Sequence, residues 1–476
     1  MARKEGTHMT TYYLAVDIGA SSGRHMLSHM EDGKMVLEEV YRFENGMDII
    51  DGHRYWNTDR LFAEIKNGLK KAKELGKVPV SMGIDTWAVD YVLLDKNDVP
   101  CGRTYGYRDS RTNGMDEEVY KIIPETELYA RTGIQKQIFN TIYQLMAVKT
   151  QEPEVLASAE TMLMLPDYFH FLLTGVKKQE YTNATSTQLV NPHTNDWDYE
   201  LIEKLGYPTK MFLPVTKPGT VVGDFTDEIA AEIGYKCKVV LPATHDTGSA
   251  IMALPTQSDD TLYISSGTWS LMGVENKEAV CTPEAQARNF TNEGGYDYRF
   301  RFLKNIMGLW MIQQVRHELN DGYSFAELCD MAEAEKEFPT RVDVNDVSFL
   351  APDNMQEAVR EYARKTNQQV PETTGQMAAV IYQSLALSYA KTVKEIEELT
   401  GKHYEAINIV GGGSKAKYLN ELTARATGRK VIAGPGEGTA IGNLMAQMIT
   451  DGVFRNLKDA RACVTVSFDI TEEEAC

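Results

Sequence analysis

One pattern, a strand followed by a Ser/Gly turn and a returning strand, occurs twice in the chain and constrains the fold more than any other feature. The first copy covers residues 12–29 and the second covers residues 262–274. The copies lie about 250 residues apart, which is the spacing of equivalent points in two similar halves. We therefore predict two domains, residues 10–254 and residues 255–470.

Strand-like and helix-like segments alternate along most of the chain, which is typical of the α/β class. Helical spacing of apolar residues predicts helices at residues 59–75, 141–150, 164–173, 305–319, 374–399, 415–427 and 439–449. Short β-rich runs predict further strands at residues 80–84, 239–241, 407–410 and 431–433.

Charge and composition exclude several classes of protein. The 476 residues carry a net charge of −19, which disfavours a nucleic-acid binder. The six cysteines form no CxxC pair and suit a reducing compartment. No apolar run is long enough for a membrane span and no secretory pattern is seen, so we expect a cytoplasmic protein. Residues 1–9 are left out of the fold prediction, since we interpret part of them as an expression remnant.

Two turns offer donors for phosphate oxygens. The first strand ends at Asp17 and runs into Gly19-Ala-Ser-Ser-Gly23-Arg24, whose hydroxyl and backbone N–H groups could bind phosphate. Asp17 could hold magnesium, directly or through water. The turn Ser265–Thr268 offers the same chemistry from the other half. Each turn alone could be an ordinary hairpin, but the pair favours a clamp on a triphosphate.

Three glycines, Gly411–Gly413, lie between a predicted strand and a predicted helix. Glycine permits close approach of the backbone, so this turn could lie under a flat ligand such as adenosine. The alternative is a tight connection without a ligand. No GxxxxGK[ST] or GxGxxG loop occurs in the chain.

The segment Thr244–Gly248 places Asp246 between a predicted strand and a predicted helix. An isolated Asp in this context is usually a helix N-cap. Phosphoryl transfer, however, needs one carboxylate aimed at the acceptor hydroxyl, and His245 and Thr247 extend the polar cluster. Asp246 is therefore our candidate for the group that accepts the hydroxyl proton.

Two aromatic segments also carry polar groups. Trp87, with Asp85 and Asp90, could pack on a sugar ring, or it could be a core tryptophan with capping acids. Asn305 precedes Trp310 at the predicted entry of a helix, and it could cap that helix or contact a ligand.

These segments together resemble the FGGY carbohydrate kinases, from Tyr13 to about Phe468. The resemblance rests on long runs, namely Val16-Asp-Ile-Gly-Ala-Ser-Ser-Gly-Arg24, Gly83-Ile-Asp-Thr-Trp87, Tyr107-Arg-Asp-Ser-Arg-Thr-Asn-Gly114, Leu165-Pro-Asp-Tyr-Phe169, Glu180-Tyr-Thr-Asn-Ala-Thr185, Ser265-Ser-Gly-Thr-Trp-Ser-Leu-Met-Gly273, Asn292-Glu-Gly-Gly295 and Lys304-Asn-Ile-Met-Gly-Leu-Trp310.

The resemblance implies two actin-like (ribonuclease H-like) ATPase domains, with ATP and a sugar in a cleft between them. It implies Asp246 as the proton acceptor, magnesium as MgATP, and L-rhamnulose as the sugar, converted to its 1-phosphate. It implies nucleotide contacts at Ala20, Ser21, Ser22, Gly23, Arg24, Thr268, Gln313 and Gly412. It implies sugar contacts at Ala88, His245, Asp246, Thr247 and Asn305. Position 88 departs from the family pattern, which often has Gly there, and the added methyl could narrow the pocket.

Two alternatives stay open. One is a kinase of the same family for another ketose, such as L-fuculose or a xylulose. The other is a non-catalytic actin-like nucleotide sensor, which would have no need of His245, Asn305 or the Trp87 cluster. An NAD-dependent dehydrogenase is disfavoured because no dinucleotide fingerprint opens the first βα unit. We expect a monomer or a small homo-oligomer.

Overall fold

A computed structural model describes residues 10–475. Residues 1–9, including the segment interpreted as an expression remnant, and Cys476 lie outside the described residues. The chain forms two compact units. The first unit comprises the chain up to Met252, Gly294–Tyr298 and Thr439–Ser467; the second comprises Ala253–Glu293, Arg299–Gly438 and the chain from Phe468. The segment Thr439–Ser467 therefore belongs by its contacts to the first unit, although it follows most of the second unit in sequence.

The first unit begins with a three-strand meander and then alternates between strands and helices. Its strands up to residue 252 are β1 (Tyr12–Ile18), β2 (Ser22–Glu31), β3 (Lys34–Glu44), β4 (Asp48–Ile50), β5 (His53–Tyr55), β6 (Pro79–Thr86), β7 (Tyr91–Leu94), β8 (Thr161–Met164), β9 (Gln179–Glu180), β10 (Val190–Asn191), β11 (Asp196–Trp197), β12 (Val215–Thr216), β13 (Val221–Asp224) and β14 (Lys238–Val240). Its helices in the same range are α1 (Thr58–Glu74), α2 (Met115–Tyr120), α3 (Glu125–Thr132), α4 (Thr141–Gln151), α5 (Pro153–Ser158), α6 (Leu165–Thr174), α7 (Tyr181–Thr185), α8 (Tyr199–Lys204), α9 (Asp227–Ile233) and α10 (Asp246–Met252).

The main sheet of the first unit has the strand order β13-β14-β6-β1-β2-β3. Strand β1 pairs antiparallel with β2 and parallel with β6, and β6 pairs parallel with β14. Strand β1 is apolar in an almost continuous run, as expected for a strand covered on both faces. Helix α1 buries Leu61, Ile65 and Leu69 on one side, at the 3.6-residue spacing that the sequence showed.

The second unit repeats this plan. Its strands are β15 (Leu262–Ser266), β16 (Ser270–Asn276), β17 (Phe290–Gly294), β18 (Phe300–Ile306), β19 (Ala406–Val410), β20 (Lys430–Ala433) and β21 (Thr471–Glu473). The remaining helices of the chain are α11 (Pro283–Ala287), α12 (Trp310–Glu318), α13 (Phe325–Ala334), α14 (Met355–Lys365), α15 (Thr374–Thr400), α16 (Lys417–Thr427), α17 (Gly438–Thr450) and α18 (Leu457–Ser467).

The second sheet has the order β17-β18-β16-β15-β19-β20-β21. As in the first unit, the opening strand pairs antiparallel with the next strand and parallel with a later one: β15 joins β16 on one side and β19 on the other. The prediction of two similar halves, each opened by a hairpin, is thereby confirmed.

One predicted element is wrong. The sequence predicted a helix over residues 305–319, but residues 300–306 form β18, and α12 begins only at Trp310. Asn305 is paired with Leu271 of β16, so it is not a helix cap. The β-rich residues Phe300, Phe302 and Ile306 are buried in the sheet, and this tertiary pairing outweighs the helical spacing that continues into α12.

No helix among residues 10–475 is both long and apolar enough to cross a membrane.

Candidate active site

The polar groups of the first unit gather where its parallel strands end. Asp17 of β1 and Asp85 of β6 are direct partners in the parallel ladder. The loop after β14 joins the same edge, because the backbone N–H of Thr86 donates to the Thr244 carbonyl oxygen at 2.9 Å. Carboxyl ends of parallel strands meet at one edge of a sheet, which is where ligands bind in open α/β folds. The sheet thus places Asp17, Asp85 and the Asp246 loop together.

Asp17 lies beside the returning strand. Its Oδ2 accepts hydrogen bonds from Nε of Arg24 at 3.2 Å and from Nη2 at 3.1 Å. Ala20 and Ser21 form the bend of the hairpin, and Ser21 is exposed to solvent. The predicted turn ends earlier than expected, since Ser22 and Gly23 already belong to β2.

Gly23 has a structural reason for being glycine. A Cβ atom there would lie 2.1 Å from the Phe43 ring, so glycine allows β3 to pack closely against β2. Close approach of a phosphate is therefore not needed to explain this glycine. Its predicted role in binding the nucleotide stays a prediction.

Asp85 is the most strongly buried of the three carboxylates. Burial, together with the charges of Asp17 and Asp246, raises the pKa of Asp85 well above its usual range. Asn443 of α17 opposes this effect by donating from Nδ2 to Asp85 Oδ2 at 2.6 Å. The same amide also donates to the Gly83 carbonyl oxygen at 3.1 Å.

A second amide continues this contact between α17 and the sheet. Gln447, one helical turn after Asn443, donates to Asn443 Oδ1 and to the Leu14 carbonyl oxygen, both at 2.9 Å. Its own oxygen accepts from the Ser81 hydroxyl at 2.7 Å. Neither amide was predicted from the sequence. The available signal was two polar residues four apart on the apolar face of a helix.

Asp246 is the first residue of α10, so the helix begins one residue earlier than predicted and Asp246 is not its N-cap. The backbone N–H of Thr247 donates to Asp246 Oδ1 at 2.7 Å. His245 Nε2 lies 3.6 Å from the same oxygen and 3.2 Å from the Thr247 hydroxyl. The side chain of Asp246 keeps 29% of its surface exposed, whereas the structure buries most of His245. A base must reach its substrate, and this exposure permits it.

Ala88 lies in a strained turn next to these strands. The following residue, Val89, has a φ of 69°, a left-handed conformation that a β-branched side chain rarely adopts. Three side chains hold its peptide groups: Ser186 bonds to the N–H, and Thr141 and Gln144 donate to the carbonyl oxygen. Ala88 itself is half-buried, which is compatible with the predicted sugar contact.

Trp87 is a core residue. Its ring packs on that of Trp56 with the centroids 4.0 Å apart, and both indole N–H groups donate to Asp90 Oδ2. Trp87 is only 8% exposed. The structure therefore favours the core alternative over a ring that stacks on a sugar.

The second unit brings its predicted nucleotide residues together. The triple-glycine turn lies against the end of β15, since a Cβ atom on Gly413 would lie 2.0 Å from the Ser266 hydroxyl. A Cβ atom on Gly412 would meet nothing within 4 Å, so the backbone is open at that position. The first glycine, Gly411, has a φ of 89° and thus needs the conformational freedom of glycine.

Thr268 and Gln313 are also neighbours in this unit. The Thr268 hydroxyl donates to Gln313 Oε1 at 3.1 Å, and the Trp310 N–H at the start of α12 donates to the Thr268 carbonyl oxygen. Thr268 is exposed and could exchange this bond for a ligand. Asn305 is half-buried in β18.

A magnesium site would have to use few protein ligands. Among residues 10–475, the structure has no group of three or more His, Cys, Asp or Glu side chains placed to hold a metal ion. Magnesium commonly takes one or two carboxylates and completes its shell with water and phosphate oxygens. Asp17 fits that type of site, and its role as a ligand stays a prediction.

Comparison with known proteins covers nearly the whole chain. The FGGY family of carbohydrate kinases matches with its N-terminal domain at residues 12–253 and its C-terminal domain at residues 262–450. A rhamnulokinase from Oceanobacillus iheyensis is 50% identical over 457 residues, covering 96% of this chain and 97% of the relative. A rhamnulokinase from Halalkalibacterium halodurans is 51% identical over 459 residues, covering 96% and 98%. One from Bacillus subtilis is 43% identical over 459 residues, covering 96% and 94%.

Solved structures share the fold at low sequence identity. A xylulose kinase from Rhodospirillum rubrum has a TM-score of 0.78 at 16% identity, covering 98% of this chain and 94% of that one. A gluconate kinase from Lactobacillus acidophilus has a TM-score of 0.77 at 15% identity, with the same coverage. The architecture is the two-domain, actin-like ATPase fold of these sugar kinases, as the sequence predicted.

Proposed function

Because the chain belongs to the FGGY family of carbohydrate kinases, we propose that it phosphorylates L-rhamnulose with ATP, giving L-rhamnulose 1-phosphate and ADP in the breakdown of L-rhamnose. The substrate follows from near-half identity to rhamnulokinases over almost the full chain. The observation that carries the chemistry is Asp246, an accessible carboxylate at the strand edge that also holds Asp17 and Asp85.

Asp246 is the proposed base. Its carboxylate would accept the proton of the 1-hydroxyl as that oxygen attacks the γ-phosphorus, and the bond from the γ-phosphorus to the β,γ-bridging oxygen would break to release ADP. The Thr247 N–H at Asp246 Oδ1 stabilises the carboxylate charge and fixes its direction. The family's sugar contacts would add His245, Thr247, Ala88 and Asn305 around the ketose.

The nucleotide would use both hairpins and the glycine turn. Ala20–Arg24 would bind phosphate in the first unit, and Thr268, Gln313 and Gly412 would bind nucleotide in the second. Arg24, already paired with Asp17 at 3.1 Å, supplies positive charge close to that phosphate turn. Magnesium, entering as MgATP with Asp17 as its candidate ligand, would neutralise phosphate charge when bound.

Asp246→Asn tests the mechanism, with Asp227→Asn as a matched control. Asp227 is also the first residue of a seven-residue helix, α9, but its side chain is 96% exposed and it belongs to none of the predicted site segments. We expect Asp246→Asn to lower kcat by about 100-fold or more, with nucleotide binding retained, because a general base contributes about 10²–10⁴-fold. Asp227→Asn should keep wild-type kinetics. Near-normal turnover by Asp246→Asn would rule out this base.

A ketose panel tests the substrate. Wild-type protein with MgATP would be assayed on L-rhamnulose, L-fuculose and D-xylulose by coupled ADP release. We expect the highest kcat/KM on L-rhamnulose. Turnover of L-fuculose well above L-rhamnulose would favour the other ketose kinase, and ATP hydrolysis without any ketose product would favour the nucleotide sensor.

A further inference from the structure

Glu180 caps the short helix α7 and also forms hydrogen bonds with the loop that precedes α10. Glu180 precedes α7 and is fully buried. Its carboxylate accepts from the backbone N–H groups of Thr182 and Asn183 at 2.8 and 3.1 Å, which is the usual work of a helix N-cap. Two more donors come from Thr244, 64 residues further along the chain: its N–H at 3.1 Å and its hydroxyl at 2.6 Å. A cap alone would not need them.

Thr182 extends this contact to the next residue of the loop. Its hydroxyl donates to Glu180 Oε2 at 2.6 Å and accepts from the His245 backbone N–H at 3.1 Å. The Thr182 hydroxyl can form both hydrogen bonds at once, because a hydroxyl has one hydrogen to donate and lone pairs that accept. Glu180 thus holds Thr244 directly and His245 through Thr182.

The loop is also bonded elsewhere in the first unit: the Leu241 N–H donates to the Thr220 carbonyl oxygen at 2.9 Å, and the Ser249 hydroxyl donates to the Ala243 carbonyl oxygen at 2.6 Å. Residues 241–244 lie outside helices and strands, between β14 and α10. The Thr244 carbonyl oxygen accepts from Thr86 N–H at 2.9 Å and from Asn183 Nδ2 at 3.4 Å. Asn183 also belongs to α7, so helix and loop are joined at several atoms. The very next residue after His245 is the proposed base.

Charge supports the same arrangement. A carboxylate is an acceptor at both oxygens, whereas a glutamine amide would turn one acceptor into a donor facing N–H and O–H groups. Burial raises the pKa of Glu180 to about 7, and the hydrogen bonds from Thr182 and Thr244 oppose that rise. The backbone of Glu180 is also held, because its N–H donates to Asp167 Oδ2 at 3.0 Å.

We propose that Glu180 is a positioning residue for phosphoryl transfer, holding Thr244 and, through Thr182, His245, so that Asp246 is aimed at the acceptor hydroxyl. This inference rests on the proposed function of Asp246. Glu180 is fully buried, so it would act through the loop and not by contact with the substrate. Its effect would therefore fall on kcat and on the order of the loop, and KM for ATP would stay unchanged.

The test compares Glu180→Gln with Asp198→Asn. Asp198 is a matched control because it is also a buried N-cap of a short helix, α8, where it accepts from Leu201 N–H at 3.1 Å and pairs with Arg131. The readouts are kcat and KM for each substrate, Tm, and hydrogen exchange of the Thr244 and His245 amides. Thr182→Val and Thr182→Ser form a second pair, since serine keeps the hydroxyl and valine does not.

We expect Glu180→Gln and Thr182→Val to lower kcat by about 100-fold, as displacement of a catalytic group by about 1 Å does. Glu180→Gln should speed exchange at Thr244 and His245, Thr182→Val should speed it at His245, and Thr182→Ser should retain most activity. Asp198→Asn should lower Tm without either effect.

Exchange at Thr244 and His245 that stays slow in Glu180→Gln would overturn the proposal, and so would a kcat within threefold of wild type. These outcomes differ from failure of the proposed function, in which the wild-type protein itself phosphorylates no ketose. In that case the positioning role in phosphoryl transfer fails with it, even if exchange shows that Glu180 orders the loop.

Discussion

Adding a single methyl group to α17 should move the proposed base. A Cβ atom at position 442 would lie 1.8 Å from the Ser249 carbonyl oxygen in α10. Carbon and oxygen normally stay about 3.3 Å apart or more, so Gly442→Ala requires a displacement of about 1.5 Å. The obstacle is backbone, so no side-chain rotation can relieve it.

The displacement should reach Asp246 because α10 is short and tightly bonded to its loop. Ser249 is three residues after Asp246, and its hydroxyl donates to the Ala243 carbonyl oxygen at 2.6 Å. Overpacking of a core costs about 1–3 kcal/mol, and the better helix propensity of alanine returns about 1 kcal/mol. The net loss of up to about 2 kcal/mol would lower Tm by up to roughly 8 °C in a domain of this size. A shift of about 1 Å at Asp246 would lower kcat about 100-fold.

The assay measures kcat, both KM values and Tm for Gly442→Ala against Gly46→Ala. A Cβ atom at position 46 would meet nothing within 4 Å, so this control makes the same chemical change in open space. We expect a large fall in kcat with a small fall in Tm for Gly442→Ala, and no change for Gly46→Ala. A Gly442→Ala protein with wild-type kcat and a lowered Tm would refute the mechanical link between α17 and the base.

Three further predictions concern acid stability, helix ends and the sugar pocket. Burial lowers the pKa of His170 to about 3, and its Nε2 accepts the Ile84 N–H at 2.9 Å, so the folded chain stays neutral there while the unfolded chain takes a proton below about pH 6.5. The free energy of unfolding therefore decreases as pH falls. Between pH 6.5 and 5, His170→Gln should reduce the slope of this free energy against pH, measured by urea unfolding, by about 1.4 kcal/mol per pH unit; equal slopes in wild type and variant would contradict this. Arg461→Met leaves the carbonyl oxygens of Ile251 and Met252 without the guanidinium, so Tm should fall while kcat stays within a few-fold, and an unchanged Tm would contradict it. Ala88→Gly removes one methyl, worth about 0.8 kcal/mol, so KM for the ketose should change about three- to fourfold with KM for ATP unchanged; a constant ketose KM would place Ala88 away from the sugar.

Local patterns predicted most of the scaffold. Strand β1 and helix α15 were found within a residue of their observed ends, because their apolar spacing and flanking glycines are properties of the segment itself. Asn305 was placed wrongly because its partner strand β16 is needed to decide between strand and helix. The roles of Trp87 and Gly23 depended in the same way on Trp56 and Phe43.

The residues of the candidate site also divide into those that local sequence predicts and those that depend on distant partners. Asp17, Asp246 and the glycine turn stand out in the sequence because turn residues follow apolar strands. Glu180 and Asn443 do not, since each acts through a partner far away in the chain: Thr244 at 64 residues and Asp85 at 358 residues. No local rule reports which buried acid or amide will meet which loop.

The position of α17 has a consequence for how the chain is made. Asn443 and Gln447 form hydrogen bonds with Asp85, Gly83 and Ser81 in the sheet of the first unit, yet they are synthesised after most of the second unit. At about 5–20 residues per second, the ribosome needs roughly 10–40 s to pass from Met252 to Thr439. During that interval the nascent first unit has polar atoms in its sheet that still lack partners and an uncovered face on α10. Folding of this protein is thus completed from its C-terminal end, and a fragment that stops near residue 254 should bind chaperones or aggregate rather than form a stable domain.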